Sequence, residues 1–257
     1  MTGGTTKARK KRPAKLPAPY LRRLVIKDGA LSKNTVYHFD LPWLHRDGFE
    51  LEFTTPVTII AGENGSGKST LIEAIAWLAG FTPTGGGPNR DPRADAEEAE
   101  TSRAQLADAL QPGWLPKVST GWFFRAETFF TVAQQIASDY LSWSHGEGFL
   151  RIFSERMSAP GLYLMDEPES ALAPERQFDL LRQLHRIQTQ ANAQVIMATH
   201  SPTLMAVPGA RLLQIRRDRI DEAHYQDTRH FRLYRSFTLD PEAMIAEALA
   251  REDDDLF

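Results

Sequence analysis

The sequence predicts an α/β fold in which a parallel core sheet is flanked by helices, and three observations carry that expectation. Val57–Ala61, Gly161–Met165, Gln194–Thr199 and Ala210–Ile215 are short, mostly apolar runs with the profile of strands buried on both faces. Helical patterns alternate with the later runs, as they do where parallel strands are joined by helical crossovers. Between the first run and Thr70–Ala79, a stretch of helical composition, stands Gly62-Glu63-Asn64-Gly65-Ser66-Gly67-Lys68-Ser69, a glycine-rich loop in a strand–loop–helix setting.

From the amino terminus, residues 1–19 carry Lys7, Arg9, Lys10, Lys11, Arg12 and Lys15 and nothing that could build a core. They read as a disordered basic tail, either a contact for nucleic acid or a solubilising segment. Tyr20–Lys27, Thr35–Leu41 and Phe49–Phe53 alternate apolar and polar residues, which predicts an antiparallel, half-exposed β layer leading into the first buried strand. Helix Thr70–Ala79 stops at Gly80, a C-terminal glycine signal. Residues 82–157 then read as an inserted helical lobe. Within it Thr84–Asn89 with its three glycines reads as flexible, Asp91-Pro92-Arg93 is turn chemistry, and Ala94–Leu110 is a helix before Gln111-Pro112-Gly113. The aromatic Gly121–Phe130 is core material, and Thr131–Tyr140 and Phe149–Met157 are helices. Pro174–Gln190 is an amphipathic helix, and Asp240–Leu249 another, with Asp240 as N-cap and Pro241 at its first position. One domain over residues 20–250 is thus expected between the basic tail and an acidic one, residues 251–257.

Composition narrows the partners. A net charge of −3 gives no global pull toward nucleic acid or anionic membrane, so such contacts would need local patches. The absence of cysteine excludes disulfides, cysteine–zinc sites and thiol catalysis, and fits a reducing compartment. No apolar run approaches the roughly 20 residues that cross a bilayer, and no apolar segment follows the basic N-terminus as in a secretory signal. The expectation is a cytoplasmic chain with no integral membrane segment.

The glycine loop points to a nucleoside triphosphate. In G-x-x-x-x-G-K-[ST] the glycines let successive N–H groups of residues 62–69 converge on one phosphate, and the helix starting near Thr70 adds its positive dipole end. Lys68 supplies an ammonium for the outer phosphates, and Ser69 a hydroxyl for Mg²⁺. Met165-Asp166-Glu167-Pro168 ends a buried strand with adjacent carboxylates: Asp166 to hold Mg²⁺, mostly through water, and Glu167 to polarise the attacking water. His200 ends the next buried strand. Ligands of such sheets bind at the strands' carboxyl ends, so His200 is expected at the same site, sensing the γ-phosphate.

These residues together resemble an ABC-type ATPase, with Walker A at Gly62–Ser69 and Walker B at Leu162–Asp166 followed by Glu167. A D-loop-like Ser170-Ala171-Leu172 and the His200 switch follow, in agreeing order from about Tyr20 to Ile215. The resemblance implies a signature segment before Walker B, and Leu141–Gly148 occupies that place. There Ser144-His145-Gly146-Glu147 aligns to Ser-Gly-Gly-Gln, with His145 and Glu147 departing from it. Ser144, Gly146 and Glu147 would complete the nucleotide site of a facing subunit, so that two ATP are sandwiched in a two-fold homodimer. The Q-loop position falls on Phe124-Arg125-Ala126-Glu127, where Glu127 would serve Mg²⁺ or Arg125 stand in, the other reading being a structural ion pair. Tyr37 and Trp43 are candidates for adenine stacking or for the core. The sequence is similar to small stand-alone AAA-family, ABC-like ATPases, and to chromosome-maintenance and repair ATPase heads without their coiled coils. ATP hydrolysis coupled to a protein partner is the implied function. The alternatives are a transporter's ATP-binding subunit, or a DNA-associated repair or defence head using the basic tail and Arg216-Arg217-Asp218-Arg219.

Overall fold

The computed structural model describes residues 16–31, 40–45, 48–82, 85–88, 102–126, 145–157 and 159–250. In chain order the elements are β1 (Leu21–Ile26), β2 (Glu50–Glu52), β3 (Val57–Gly62), α1 (Lys68–Ala79), α2 (Ser102–Ala109), β4 (Leu110–Trp114) and β5 (Gly121–Arg125). There follow α3 (His145–Arg156), β6 (Leu162–Asp166), α4 (Pro174–Gln190), β7 (Gln194–Ala198), α5 (Pro202–Met205), β8 (Arg211–Ile215) and β9 (Ile220–Glu222). Two consecutive helices, α6 (Arg229–Leu239) and α7 (Pro241–Ala250), complete the described chain.

The larger sheet runs β5-β6-β7-β3-β8-β9, parallel throughout except for the antiparallel β8–β9 pair. Its strands are apolar at successive positions because both faces are covered. Ile60, Leu162, Leu164, Ile196, Leu213 and Ile215 point to the side packed by α1 and the smaller sheet. Val57, Ile59, Tyr163, Met165, Val195, Met197 and Leu212 point to the side packed by α3, α4 and α5. The expected α/β class with a parallel core is therefore the fold, with a single antiparallel strand at one edge.

The N-terminal layer is a three-stranded antiparallel sheet, β2-β1-β4. A buried Gln194, at the start of a core strand, joins it to the larger sheet. The Gln194 side-chain carbonyl accepts from Tyr20 N and Leu21 N at 2.8 Å each, and its amide donates to Leu21 O at 2.9 Å.

Three expectations change here. Leu110–Trp114 is a strand, although Leu110 read as the end of a helix before Gln111-Pro112-Gly113. The strand lies at the edge of its sheet, where a missing N–H costs no ladder bond, and Gly113 sits where a Cβ would meet the Arg23 side chain at 2.7 Å. The aromatic Gly121–Arg125 is also a strand, the edge of the core sheet, with Phe123 and Phe124 buried on opposite faces. Leu41 enters a 3₁₀ turn, Pro42–His45, rather than ending a strand. Thr35–Phe39 of that expected strand, the helix expected at Thr131–Tyr140 and both charged tails lie outside the described residues, apart from 16–19. Among the described residues no helix is long and apolar enough to cross a membrane.

Candidate active site

The glycine loop follows β3 at the carboxyl end of the sheet and turns straight into α1. Gly65 and Gly67 take the left-handed conformation (φ 74° and 92°). At Gly67 a Cβ would lie 2.8 Å from Leu41 and 3.1 Å from Trp43, so shape and backbone both demand glycine there. Trp43 is buried, and its indole N–H donates to Ser66 O at 2.9 Å. Of its two expected roles it takes the core one and braces the loop from below. Tyr37 lies outside the described residues.

Lys68 is buried and donates to Gly62 O at 3.1 Å and Glu63 O at 2.9 Å, the carbonyls of its own loop. Burial lowers its pKa, and the nearby carboxylates of Glu167, Asp166 and Glu169 oppose that fall. Asn64, Gly65, Gly67, Lys68, Ser69 and Thr70 line a cleft of about 290 Å³ that also takes in Glu167. A larger hollow of about 700 Å³ lies against α6 between Arg216, Arg229 and Arg232, but it holds none of the loop's residues.

Two further strand ends lie beside this cleft. At the end of β6, Asp166 accepts from the Ser69 hydroxyl at 2.9 Å. Burial pushes the Asp166 carboxyl up to about 6, more than the Ser69 hydrogen bond and the Arg125 charge bring it down. Glu167 follows with φ 48° and ψ 53°, a left-handed conformation costly for a residue with a side chain. Its N–H donates to Ala198 O on β7 at 3.0 Å, which fixes the bend, and its side chain turns outward, 44% exposed. Past the end of β7, His200 brings Nε2 to 3.5 Å from Glu167 Oε1. Burial lowers the His200 pKa and the Lys68 charge adds to the effect, against the pull of Glu167.

Of the groups that hold these residues, sequence reasoning named only Arg125, with a structural ion pair as one of its readings, and did not find its partner. Arg125 on β5 pairs with the buried Glu73 of α1 at 2.5 Å and brings Nε to 4.0 Å from Asp166 Oδ2. It is thus an ion pair built into the wall of the site. Glu169, in the 3₁₀ turn Pro168–Ala171, accepts from Thr199 Oγ1 at 2.7 Å and from His200 N at 2.5 Å, which anchors the backbone carrying the histidine. From α6, Arg229 pairs with Glu63 in the glycine loop, and His230 Nε2 lies 2.9 Å from His200 Nδ1. No local signal marks any of these contacts.

Of the signature segment, Ser144 lies outside the described residues, as does Glu127. His145, Gly146 and Glu147 form the first turn of α3, which begins four residues earlier than expected.

Two segments match protein-family models. Residues 41–111 match one described as "AAA domain". Residues 142–206 match one described as "AAA domain, putative AbiEii toxin, Type IV TA system". Among curated proteins no relative matches. Similar solved structures include an inward-facing "putative metal-chelate type ABC transporter", at 16% identity over 70% of this chain and 76% of that one, TM-score 0.44. They include the SMC head domain from Thermotoga maritima, at 15% identity over 80% and 99%, TM-score 0.43. An ATP-binding cassette of an ABC transporter matches at 18% identity over 84% and 99%, TM-score 0.43. The first matched segment holds the glycine loop and the second holds Asp166, Glu167 and His200, so the segments contain the groups that meet at the cleft. Both matched segments are thus similar to AAA domains, and between them they carry the glycine loop of a P-loop nucleotide site and the carboxylates beside it.

Proposed function

We propose that the chain binds Mg·ATP at Gly62–Thr70 and hydrolyses it, and that two copies close around two ATP molecules. In this reading Ser144, Gly146 and Glu147 of each copy face the nucleotide bound by the other, and hydrolysis reopens the pair against a protein partner. Residues 20–250 act as one ATPase domain in the cytoplasm, with the parts of residues 82–157 outside β4 and β5 as its lobe. The observation that supports hydrolysis, and not binding alone, is the pairing of Glu167 with His200 at 3.5 Å beside a cleft that Lys68 also lines.

Ser69 and Asp166 fit a magnesium ion. They offer a hydroxyl and a buried carboxylate 2.9 Å apart, both hard oxygen donors, and magnesium is commonly held by one or two carboxylates together with substrate phosphates. Glu127 is the further expected ligand. Bound there, the ion would neutralise charge on the phosphates. The protein's own work is positional. Loop N–H groups and the Lys68 ammonium hold the triphosphate. Glu167 orients a water and takes its proton as the water oxygen bonds to the γ-phosphorus and the bond to the β–γ bridging oxygen breaks. His200 donates from Nε2 to an oxygen of the transferring phosphoryl group.

Glu167→Gln tests this. It keeps the size and hydrogen bonding of the side chain but removes the base, so kcat should fall about 10²–10⁴-fold with nucleotide affinity retained. With ATP and Mg²⁺ the variant should elute as a dimer in size-exclusion chromatography. A wild-type protein that does not hydrolyse ATP, combined with a variant that stays monomeric in ATP, would refute the reading.

A further inference from the structure

His200 has a second partner that the reaction as drawn does not use. His230 enters from α6 with Nε2 2.9 Å from His200 Nδ1, the two rings tilted at 59° with centroids 5.1 Å apart. The contact is therefore a nitrogen-to-nitrogen hydrogen bond, and one of the two atoms must carry the hydrogen. We propose that His230 is a positioning residue for His200, donating from Nε2 to His200 Nδ1 and so keeping the His200 hydrogen on Nε2, the atom toward Glu167. The inference rests on the reading of His200 as the group that meets the γ-phosphate.

One observation gives the direction. Among the described residues, His200 Nε2 and His230 Nδ1 are alike shielded from solvent without a hydrogen-bond partner, so burial does not choose between the two senses of the bond. Glu167 does: its Oε1 lies 3.5 Å from His200 Nε2, and a carboxylate attracts an N–H and repels a lone pair, which favours the hydrogen on Nε2 and leaves Nδ1 to accept.

The local fold puts His230 there for stated reasons. Thr228 caps α6: its Oγ1 accepts from Phe231 N at 3.2 Å and donates to Tyr225 O at 2.6 Å. The Tyr225 and Phe231 rings meet edge to face at 5.2 Å, and Arg229 pairs with Glu63 in the glycine loop. The first turn of α6 is held at the site while its later apolar side chains, Leu233, Tyr234 and Phe237, stand exposed. Burial favours the neutral form of each ring, and the Lys68 charge acts on both in the same sense. The charges facing the pair are Glu167 and Lys68 at His200, and Lys68, Glu63 and Arg229 at His230.

Nitrogen-15 NMR of imidazole-labelled protein without nucleotide reads the tautomer directly. The proposal expects His200 with a pyridine-type Nδ1 and a pyrrole-type Nε2, and a hydrogen on Nε2 of His230. His200 with its hydrogen on Nδ1 would overturn it. Kinetics with Mg·ATP supply the second readout. His230→Leu should lower kcat by about 10- to 100-fold with KM little changed, and His230→Gln, whose amide can donate, should keep most of the wild-type kcat. Equal kcat in the wild type and the leucine variant, with an unaltered His200 spectrum, would refute the positioning role. Thermal melts establish that both variants fold. If the wild type hydrolyses no ATP, the function reading fails on its own, while the spectrum still decides the tautomer.

Discussion

Asp166→Asn separates the stability cost of this site from its use. The Asp166 carboxyl is raised from 3.8 to about 6, mainly by burial. At about 1.4 kcal/mol for each pH unit, ionising it inside the fold costs about 3 kcal/mol relative to the unfolded chain. The folded pKa lies above the unfolded one, so the folded state binds the proton more tightly. The resulting stability is fully present below 3.8 and is lost as pH rises through 6. Asparagine removes that charge and can still accept from Ser69. Without nucleotide or magnesium the variant should be about 1–3 kcal/mol more stable than wild type at pH 8, the lower figure allowing for an imperfectly paired amide. In thermal melts this is a rise of about 3–8 °C, and the gap should close by pH 4. Glu169 is also raised by burial, but it is common to both proteins and drops out of the difference. With Mg·ATP the order should reverse, because only the wild type gains ligand-linked stability. A variant no more stable than wild type at pH 8, with a difference that does not change toward pH 4, would refute the argument.

Two further substitutions probe the walls of the site. Arg125→Met leaves Glu73 buried without its guanidinium and should cost about 3–5 kcal/mol in chemical denaturation. Adding Glu73→Leu should recover most of that loss, and a single-variant cost under about 1 kcal/mol would contradict the pairing seen at 2.5 Å. Gly67→Ala forces a side chain into the left-handed region, at about 1–2 kcal/mol, and drives its Cβ toward Leu41 and Trp43. Calorimetric titration should then find no ATP binding by a protein that still folds, and unchanged affinity would show that the loop has another conformation open to it.

What could be read from the sequence follows the range of the interactions. Phosphate recognition by backbone N–H groups needs a continuous stretch, so Gly62–Ser69 carries its chemistry within eight residues. Asp166, Glu167 and His200 were legible for a different reason: each ends a buried strand, and parallel strands bring their carboxyl ends to one edge. Turn residues misled where the sheet had an edge. Pro112 and Gly113 are strand residues because β4 has a neighbour on one side only. The supporting contacts were not legible, because each joins residues tens of positions apart: Glu73 and Arg125 are 52 apart, Glu169 and His200 are 31 apart, and His200 and His230 are 30 apart. A glutamate on a helix of ordinary composition gives no sign of the arginine it will bury.

His200 shows what those distant groups add. A neutral imidazole at the end of a strand is free in three respects: where its backbone sits, how its ring is turned, and which nitrogen bears the hydrogen. Glu169 removes the first freedom through His200 N, and Glu167 and His230 constrain the other two from opposite sides of the ring. Three elements that are remote in sequence therefore act on one side chain. A group that must present an N–H to a phosphoryl oxygen only during reaction gains from such constraint, because preorganised donors need no rearrangement as the charge develops. If His200 meets the γ-phosphate as proposed, a movement of its ring toward that group would stretch the 2.9 Å bond to His230 at the start of α6.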